Sequence, residues 1–404
     1  MGSVFITGFK LEDHPYIRNL SVDIDKTTEI KPIVITGKNG TGKTTLLNEI
    51  YKHVSSIQNS NLTCNELERA IKSEIESRIN MEKDSDSWTR SKRNEESFKQ
   101  TLIDTYGYTR VFFNVFNPNH AIPEGNLTIS LFKARRFTRL SGVQAISKPK
   151  VVVKKHDQSL SEQFLQYLVN RKTQQAFAIS DQDEKESKQI QKWFDNLNSF
   201  FSQLFGDEVK FIFDRENLSF RLEGKDGYID FNTLSDGYSS AMDIITEIVM
   251  RMEVHKFGDY SQPGIVFIDE IETHLHISLQ KQILPLLCTF FPNVQFIVTT
   301  HSPFVLTSVR GAAVYDMGTN TLIKSEDELW QFGYEDIVEG YFDTDSHSDE
   351  LENKIDEYEA LVKKADHSVD EARRVILLRH ELEDSPTFKM PHVELRLRQL
   401  GLKE

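Results

Sequence analysis

The sequence predicts an α/β fold built on a largely parallel sheet, with inserted helical arms and an acidic helical tail. Three observations carry this. Apolar runs at 32–37 (PIVITG), 264–270 (GIVFIDE) and 294–300 (VQFIVTT) have the near-continuous hydrophobicity of strands buried on both faces. Helix-like stretches separate them, as expected of a sheet covered by helices. Between the first run and the other two lie long, densely charged stretches of high helix propensity, too polar for that sheet.

Taken in order, residues 1–54 form the first part of the head. VFITGF at 4–9 and SVDI at 21–24 are strand candidates, and PIVITG begins with Pro32, a residue tolerated at a strand's first position. A helix should follow from about Gly42 to Val54, with Leu46, Leu47 and Ile50 on its apolar face. Residues 55–108 read as an inserted helical arm in which Ile71, Ile75 and Ile79 recur every four positions. Residues 109–157 read as strand-rich (109–116 and 127–132) and end in a basic segment. Residues 158–208 form a second helical insertion with a late aromatic stripe of Phe194, Phe200, Phe201 and Phe205.

The rest of the head spans 209–325. Strand candidates at 210–214, 218–222 and 227–231 surround turn-forming segments. A helix at 237–254, a strand at 264–270, a helix at 277–288, a strand at 294–300 and strands at 312–317 and 320–324 complete it. The tail, 326–404, should be helical at 349–362, 368–383 and 391–399, with Val375, Leu378 and Leu382 as an apolar face.

Composition bounds the class. The 404 residues are 38% hydrophobic and 27% charged, a globular balance. No run of 18 uncharged apolar residues occurs, which argues against a transmembrane helix, and the N-terminus reads as a strand rather than a secretory signal. Cys64 and Cys288 are too few and too far apart for a zinc site or a disulfide framework, so a cytoplasmic setting is expected. The net charge of −14 lies entirely in 326–384, which hold 20 Asp and Glu against 6 Lys and Arg. Conversely, residues 131–156 hold 8 Lys and Arg and no acid.

The strongest chemical signal is Gly37-Lys38-Asn39-Gly40-Thr41-Gly42-Lys43-Thr44, the phosphate-binding pattern GxxxxGK[ST] between a strand and a helix. Glycines allow a tight turn whose N–H groups face phosphate, and the helix adds its positive end. Asn39, Gly40, Thr41, Gly42, Lys43, Thr44 and Thr45 are the expected ATP contacts. Lys43 should reach the β and γ phosphates and the Thr44 hydroxyl should ligate Mg²⁺. The apolar strand 265–268 then delivers Asp269 and Glu270. Asp269 is expected to hold Mg²⁺, and Glu270 to orient or deprotonate the attacking water.

Two further motifs follow, Leu234-Ser235-Asp236-Gly237-Tyr238 and Thr299-Thr300-His301-Ser302-Pro303. With them the chain resembles the ABC ATPase superfamily, in its RecF/Rad50/SMC branch. The resemblance implies that LSDGY is the signature LSGGQ, with Asp236 in place of glycine and Tyr238 in place of glutamine. It implies that Ser235 and Gly237 close over the γ phosphate held by a second copy of the chain. His301 is then the switch histidine that contacts the γ phosphate or the attacking water. Ser235 or Asp236 also suits a plain helix cap, which is compatible with that role.

The stretch DEIETHLHISLQKQILPLL…FPNVQFIVTTHSPFVL closely resembles stand-alone bacterial ATPases of the overcoming-lysogenisation-defect and Septu/retron-associated groups, which often serve antiphage systems. This resemblance covers about 1–54 and 209–317. It implies a homodimer closed by ATP, with a larger assembly left open, that regulates a separately encoded effector such as a nuclease. The alternative is a RecF/Rad50-like repair or chromosome-maintenance ATPase acting on DNA directly.

Glu272, His274 and His276 suit a polar loop at the dimer or near phosphate; a zinc set is the other composition-based reading. Lys133, Arg135, Arg136, Arg139, Lys148, Lys150, Lys154 and Lys155 have three open readings. They could reach nucleotide or the dimer seam, contact DNA or RNA without sequence preference through 133–155, or stand solvated on a strand edge. A DxD pair at Asp343-Thr344-Asp345 lacks the full apolar strand of a Toprim nuclease, so none is expected here. The glutamine of the family's Q-loop has no secure match. No membrane partner is expected.

Overall fold

The computed structural model describes residues 4–24, 29–60, 62–115, 118, 127–136, 163–225, 227–229, 231, 234–323, 349–364 and 368–383. They fall into two units, divided between Phe332 and Gly333.

The first unit is organised by a six-stranded sheet. Its members are β3 (Ile33–Thr36), β5 (Thr128–Phe132), β9 (Gly264–Ile268), β10 (Val294–Thr299), β11 (Ala313–Asp316) and β12 (Thr321–Ile323). The order is β12-β11-β3-β10-β9-β5, parallel throughout except for the antiparallel edge strand β12. All residues of β3, β9 and β10 are buried, as their unbroken apolar runs require. Helix α1 (Lys43–Asn59) covers this sheet with Leu46, Leu47, Ile50 and Val54, each at most 1% exposed.

A three-stranded antiparallel sheet pairs β1 (Ile6–Leu11) with β2 (Leu20–Asp23) and β4 (Thr109–Phe113). Strand β1 starts two residues later than the apolar pattern suggests, because Phe5 pairs instead with Asn114 through that residue's side chain and backbone. Gln295, buried on β10, joins the two sheets by hydrogen bonds to Ile6 N, Ile6 O and Lys31 O at 2.7, 3.0 and 3.1 Å.

The first insertion is a helical pair, α2 (Cys64–Arg78) and α3 (Asp86–Tyr106). Thr63 and Glu66 form a reciprocal capping box that starts α2. Leu67, Leu102 and Tyr106 make its small core, with Ile71 and Phe98 against it. The isoleucine recurrence does not continue as a seam. Ile75 and Ile79 are 42% and 75% exposed, since a four-residue step overshoots the 3.6-residue turn and drifts around the helix.

The second insertion contains α4 (Phe164–Ser180) and α5 (Glu184–Phe205), beside the hairpin sheet β6 (Lys210–Asp214), β7 (Ser219–Gly224) and β8 (Gly227–Ile229). Phe194, Phe200 and Phe201 are buried as the aromatic stripe suggests. Helix α6 (Asp236–His255) follows. The single helix expected at 277–288 is two, α7 (Ile277–Gln280) and α8 (Ile283–Phe290). Pro285 explains the break: without an N–H it is tolerated in the first turn of α8 but not inside a continuous helix. A short α9 (Pro303–Leu306) follows β10.

The second unit contains α10 (Asp349–Val362) and α11 (Val369–Glu383). Ile355, Tyr358, Leu378 and Leu382 form its core, with Val375 and Leu361 against them. The expected helix at 391–399 and the Asp343-Thr344-Asp345 triplet lie outside the described residues. Among the described residues, no helix is long and apolar enough to cross a membrane.

Candidate nucleotide-binding site

Strand β3 ends at a loop whose shape depends on glycine. Gly37, Gly40 and Gly42 have φ of 136°, 82° and 95°, a region that side chains disfavour. A Cβ on Gly37 would also lie 3.1 Å from Thr41 Oγ1 and 3.2 Å from Asp316 Oδ1. Lys38, Asn39 and Gly40 are exposed, while Thr41, Gly42 and Thr45 are half-buried. Gly42 occupies the N-cap of α1 with no side-chain cap, and the first turn carries no acid. The first N–H groups of α1 therefore lack a capping side chain and suit an anion.

Lys43 is 6% exposed and donates to Gly37 O and Lys38 O at 3.0 and 3.1 Å. Burial pushes its ammonium below the usual lysine range, opposed by the charges of Glu270, Glu272, Asp269 and Asp316. The neighbouring Thr44 hydroxyl donates to both oxygens of Asp269 at 2.9 and 3.0 Å, across 225 residues of sequence. Hydroxyl and carboxylate oxygens brought together in this way fit a hard divalent cation such as Mg²⁺.

Asp269 and Glu270 divide sharply at the end of β9. Asp269 is buried and also accepts from a second hydroxyl, Thr299 Oγ1, at 2.6 Å. Glu270 leaves the strand in a left-handed conformation, φ 46°, with its N–H donating to that same Thr299 oxygen at 2.7 Å. Thr273 Oγ1 donates to Glu270 Oε2 at 3.2 Å. Thr299 thus links the two carboxylate residues. The sequence places it in the TTHSP motif, but a buried threonine next to a histidine carries no pattern of its own.

Arg136 corrects the reading of the basic segment as a surface. It is 3% exposed and sits under the loop that follows β9, whereas Lys133 and Arg135 are exposed. Arg139, Lys148, Lys150, Lys154 and Lys155 lie outside the described residues.

His301 donates its backbone N–H to Glu272 Oε1, and Glu272 Oε2 is buried with no hydrogen-bond partner among the described residues. His276 caps α7, its ring accepting from Ser278 N, and His274 is exposed at φ 67°. The zinc reading of Glu272, His274 and His276 is not supported: among the described residues, no group of three or more His, Cys, Asp or Glu is placed to hold a metal.

Ser235 is the N-cap of α6, exposed, with no hydrogen bond from its side chain to the helix. Asp236, the first residue of α6, is also exposed. Gly237 is buried, and a Cβ there would lie 2.8 Å from His274 O, so the loop after β9 approaches α6 too closely for any side chain. Tyr238 stacks on Phe205 of α5, ring centres 4.6 Å apart at 14°, which gives this departure from glutamine a packing role. The structure thus brings Lys43, Thr44, Asp269 and Glu270 together. It places Ser235 and Gly237 at the start of α6, against the loop that follows β9.

The chain resembles known proteins. It is 37% identical over 120 residues to the Septu protein PtuA of Bacillus mycoides (strain KBAB4), covering 29% of this chain and 16% of that protein. It is 30% identical over 171 residues to the "Retron Ec83 probable ATPase" of Escherichia coli, covering 41% and 31%. The matches span less than a third of either relative's length. Among solved structures, an SMC head bound to the C-winged helix domain of ScpA aligns at TM-score 0.40 and 12% identity, covering 81% of this chain and 99% of that one. Residues 33–307, more than half of the chain, match the family described as "AAA domain, putative AbiEii toxin, Type IV TA system". This chain belongs to that family of P-loop ATPases.

Proposed function

We propose that this chain hydrolyses ATP as a dimeric switch and regulates an effector in bacterial antiphage defence. The observation that carries the reading is the contact of Thr44 with Asp269, which joins the phosphate loop to the strand that presents Glu270. The N–H groups of 39–45 and Lys43 hold the β and γ phosphates. Thr44 and Asp269 would hold Mg²⁺, which would supply charge neutralisation at the phosphates. Glu270 orients the attacking water and accepts its proton. Ser235 and Gly237 of a second copy complete the site from the far side, and His301 contacts the γ phosphate or that water. Similarity to the Septu and retron proteins supports the defence setting, and the scarcity of cysteine suits the cytoplasm as its location. The acidic second unit suits a basic partner, such as a separately encoded nuclease.

Native mass measurement tests the switch. Glu270→Gln retains the Mg²⁺ ligand and loses the proton acceptor, so with ATP it should accumulate as a dimer that wild type forms only transiently. A variant that stays monomeric with ATP bound would reject the trans arrangement.

A further inference from the structure

Arg136 follows β5 into the interior, where none of the hydrogen bonds it makes to the described residues goes to a carboxylate. Its five N–H donors are nevertheless all used. Nε donates to Ser240 Oγ at 3.1 Å. Nη1 donates to Lys133 O at 3.1 Å and Asp269 O at 2.7 Å. Nη2 donates to Glu270 O at 3.0 Å and Ile271 O at 3.4 Å. Three successive carbonyls of the loop after β9 therefore converge on one guanidinium, whose planar fork can serve them at once where a lysine could not.

That convergence falls where the backbone needs support. Glu270 lies at φ 46°, a conformation that costs a residue with a side chain free energy and persists only when its surroundings impose it. The Thr299 hydroxyl fixes the N–H of Glu270, and Arg136 fixes its C=O. The fifth bond runs elsewhere: Ser240 is on α6, just over one turn beyond Ser235 and close to Gly237.

We infer that Arg136 is the positioning residue that aims the Glu270 carboxylate and ties that aim to the start of α6. This rests on the hydrolytic reading above. It also connects two sites: in the dimer, the start of α6 serves the partner's nucleotide while the loop after β9 serves this chain's own. Closure on one nucleotide would therefore bear on the catalytic loop of the other through a single side chain.

The test compares steady-state ATP turnover and binding of a fluorescent ATP analogue across the full-length wild type, R136K, R136Q, E270Q and the double variant R136Q/E270Q. Turnover at saturating ATP should fall in the order wild type, R136K, R136Q, by about tenfold or more for R136Q, with analogue affinity changed less than about threefold. The double variant should be no slower than E270Q alone, because a positioning residue has nothing to aim once the carboxylate is gone. Should R136Q fail to fold, R136K and R136K/E270Q read the same non-additivity. Unchanged turnover in R136Q, a loss confined to binding, or a full second loss on top of E270Q would overturn the inference. Absence of turnover in wild type would instead overturn the hydrolytic reading on which it rests.

Discussion

Thr299 shows how much of this site rests on one buried oxygen. It donates to Asp269, which aligns that carboxylate beside Thr44, and accepts from the N–H of Glu270. Replacing it with valine preserves shape, strands the N–H of Glu270 and leaves Asp269 with Thr44 alone as its hydroxyl donor. Thr299→Val should therefore cost about 1–3 kcal/mol of stability, measured by urea unfolding, and lower turnover by about tenfold or more. Unfolding and turnover both at wild-type levels would show that the bridge contributes nothing. Lys43, Thr44, Asp269 and Glu270 were legible in the sequence because each belongs to a motif with fixed spacing. Thr299 and Arg136 were not, since their importance comes from hydrogen bonds across 30 and more than 130 residues of chain.

At the scale of elements, one seam holds the second insertion to α6 and another joins α1 to β4. Glu253, near the end of α6, accepts from Tyr167 of α4 at 2.5 Å, Trp193 of α5 at 2.8 Å and the backbone N–H of Gly258 at 3.1 Å. Removing a buried charge that satisfies several donors strands them all, so Glu253→Ala should destabilise by about 3–5 kcal/mol in urea unfolding. A loss under about 1 kcal/mol would mean that these contacts do not fasten the insertion.

The other seam is His53 on α1, whose Nδ1 lies 2.9 Å from Thr109 O at the start of β4. A carbonyl only accepts, so that nitrogen carries the proton. Burial first, and Arg110 second, lower the folded pKa from 6.5 to about 3. The unfolded chain therefore binds the proton first, and the contribution of His53 is present above pH 6.5 and lost as pH falls toward about 3. The urea midpoint should decline over that window, and His53→Gln should flatten the decline. An identical slope in the variant would refute the assignment. Most strands were legible because buried parallel strands read as plain apolar runs. The broken helix at 277–290 required noticing Pro285, and the drift of Ile75 and Ile79 into solvent shows that a recurrence of four is not a helical seam.

For the whole molecule, the loop of 37–44 and the Asp269-Glu270 pair lie within a family match over 33–307. The acidic charge of 326–384 was plain from counting, and the core of α10 and α11 was anticipated by Val375, Leu378 and Leu382. What such a unit docks against is not written in composition, because charge specifies a sign and not a surface. The most direct test of the central claim is phosphate release by the purified chain with ATP and Mg²⁺, run beside K43A and E270Q. The account predicts turnover in wild type, loss of nucleotide binding and turnover in K43A, and retained binding with turnover reduced by about 10²-fold or more in E270Q. Wild-type turnover in E270Q, or undiminished ATP binding in K43A, would contradict it.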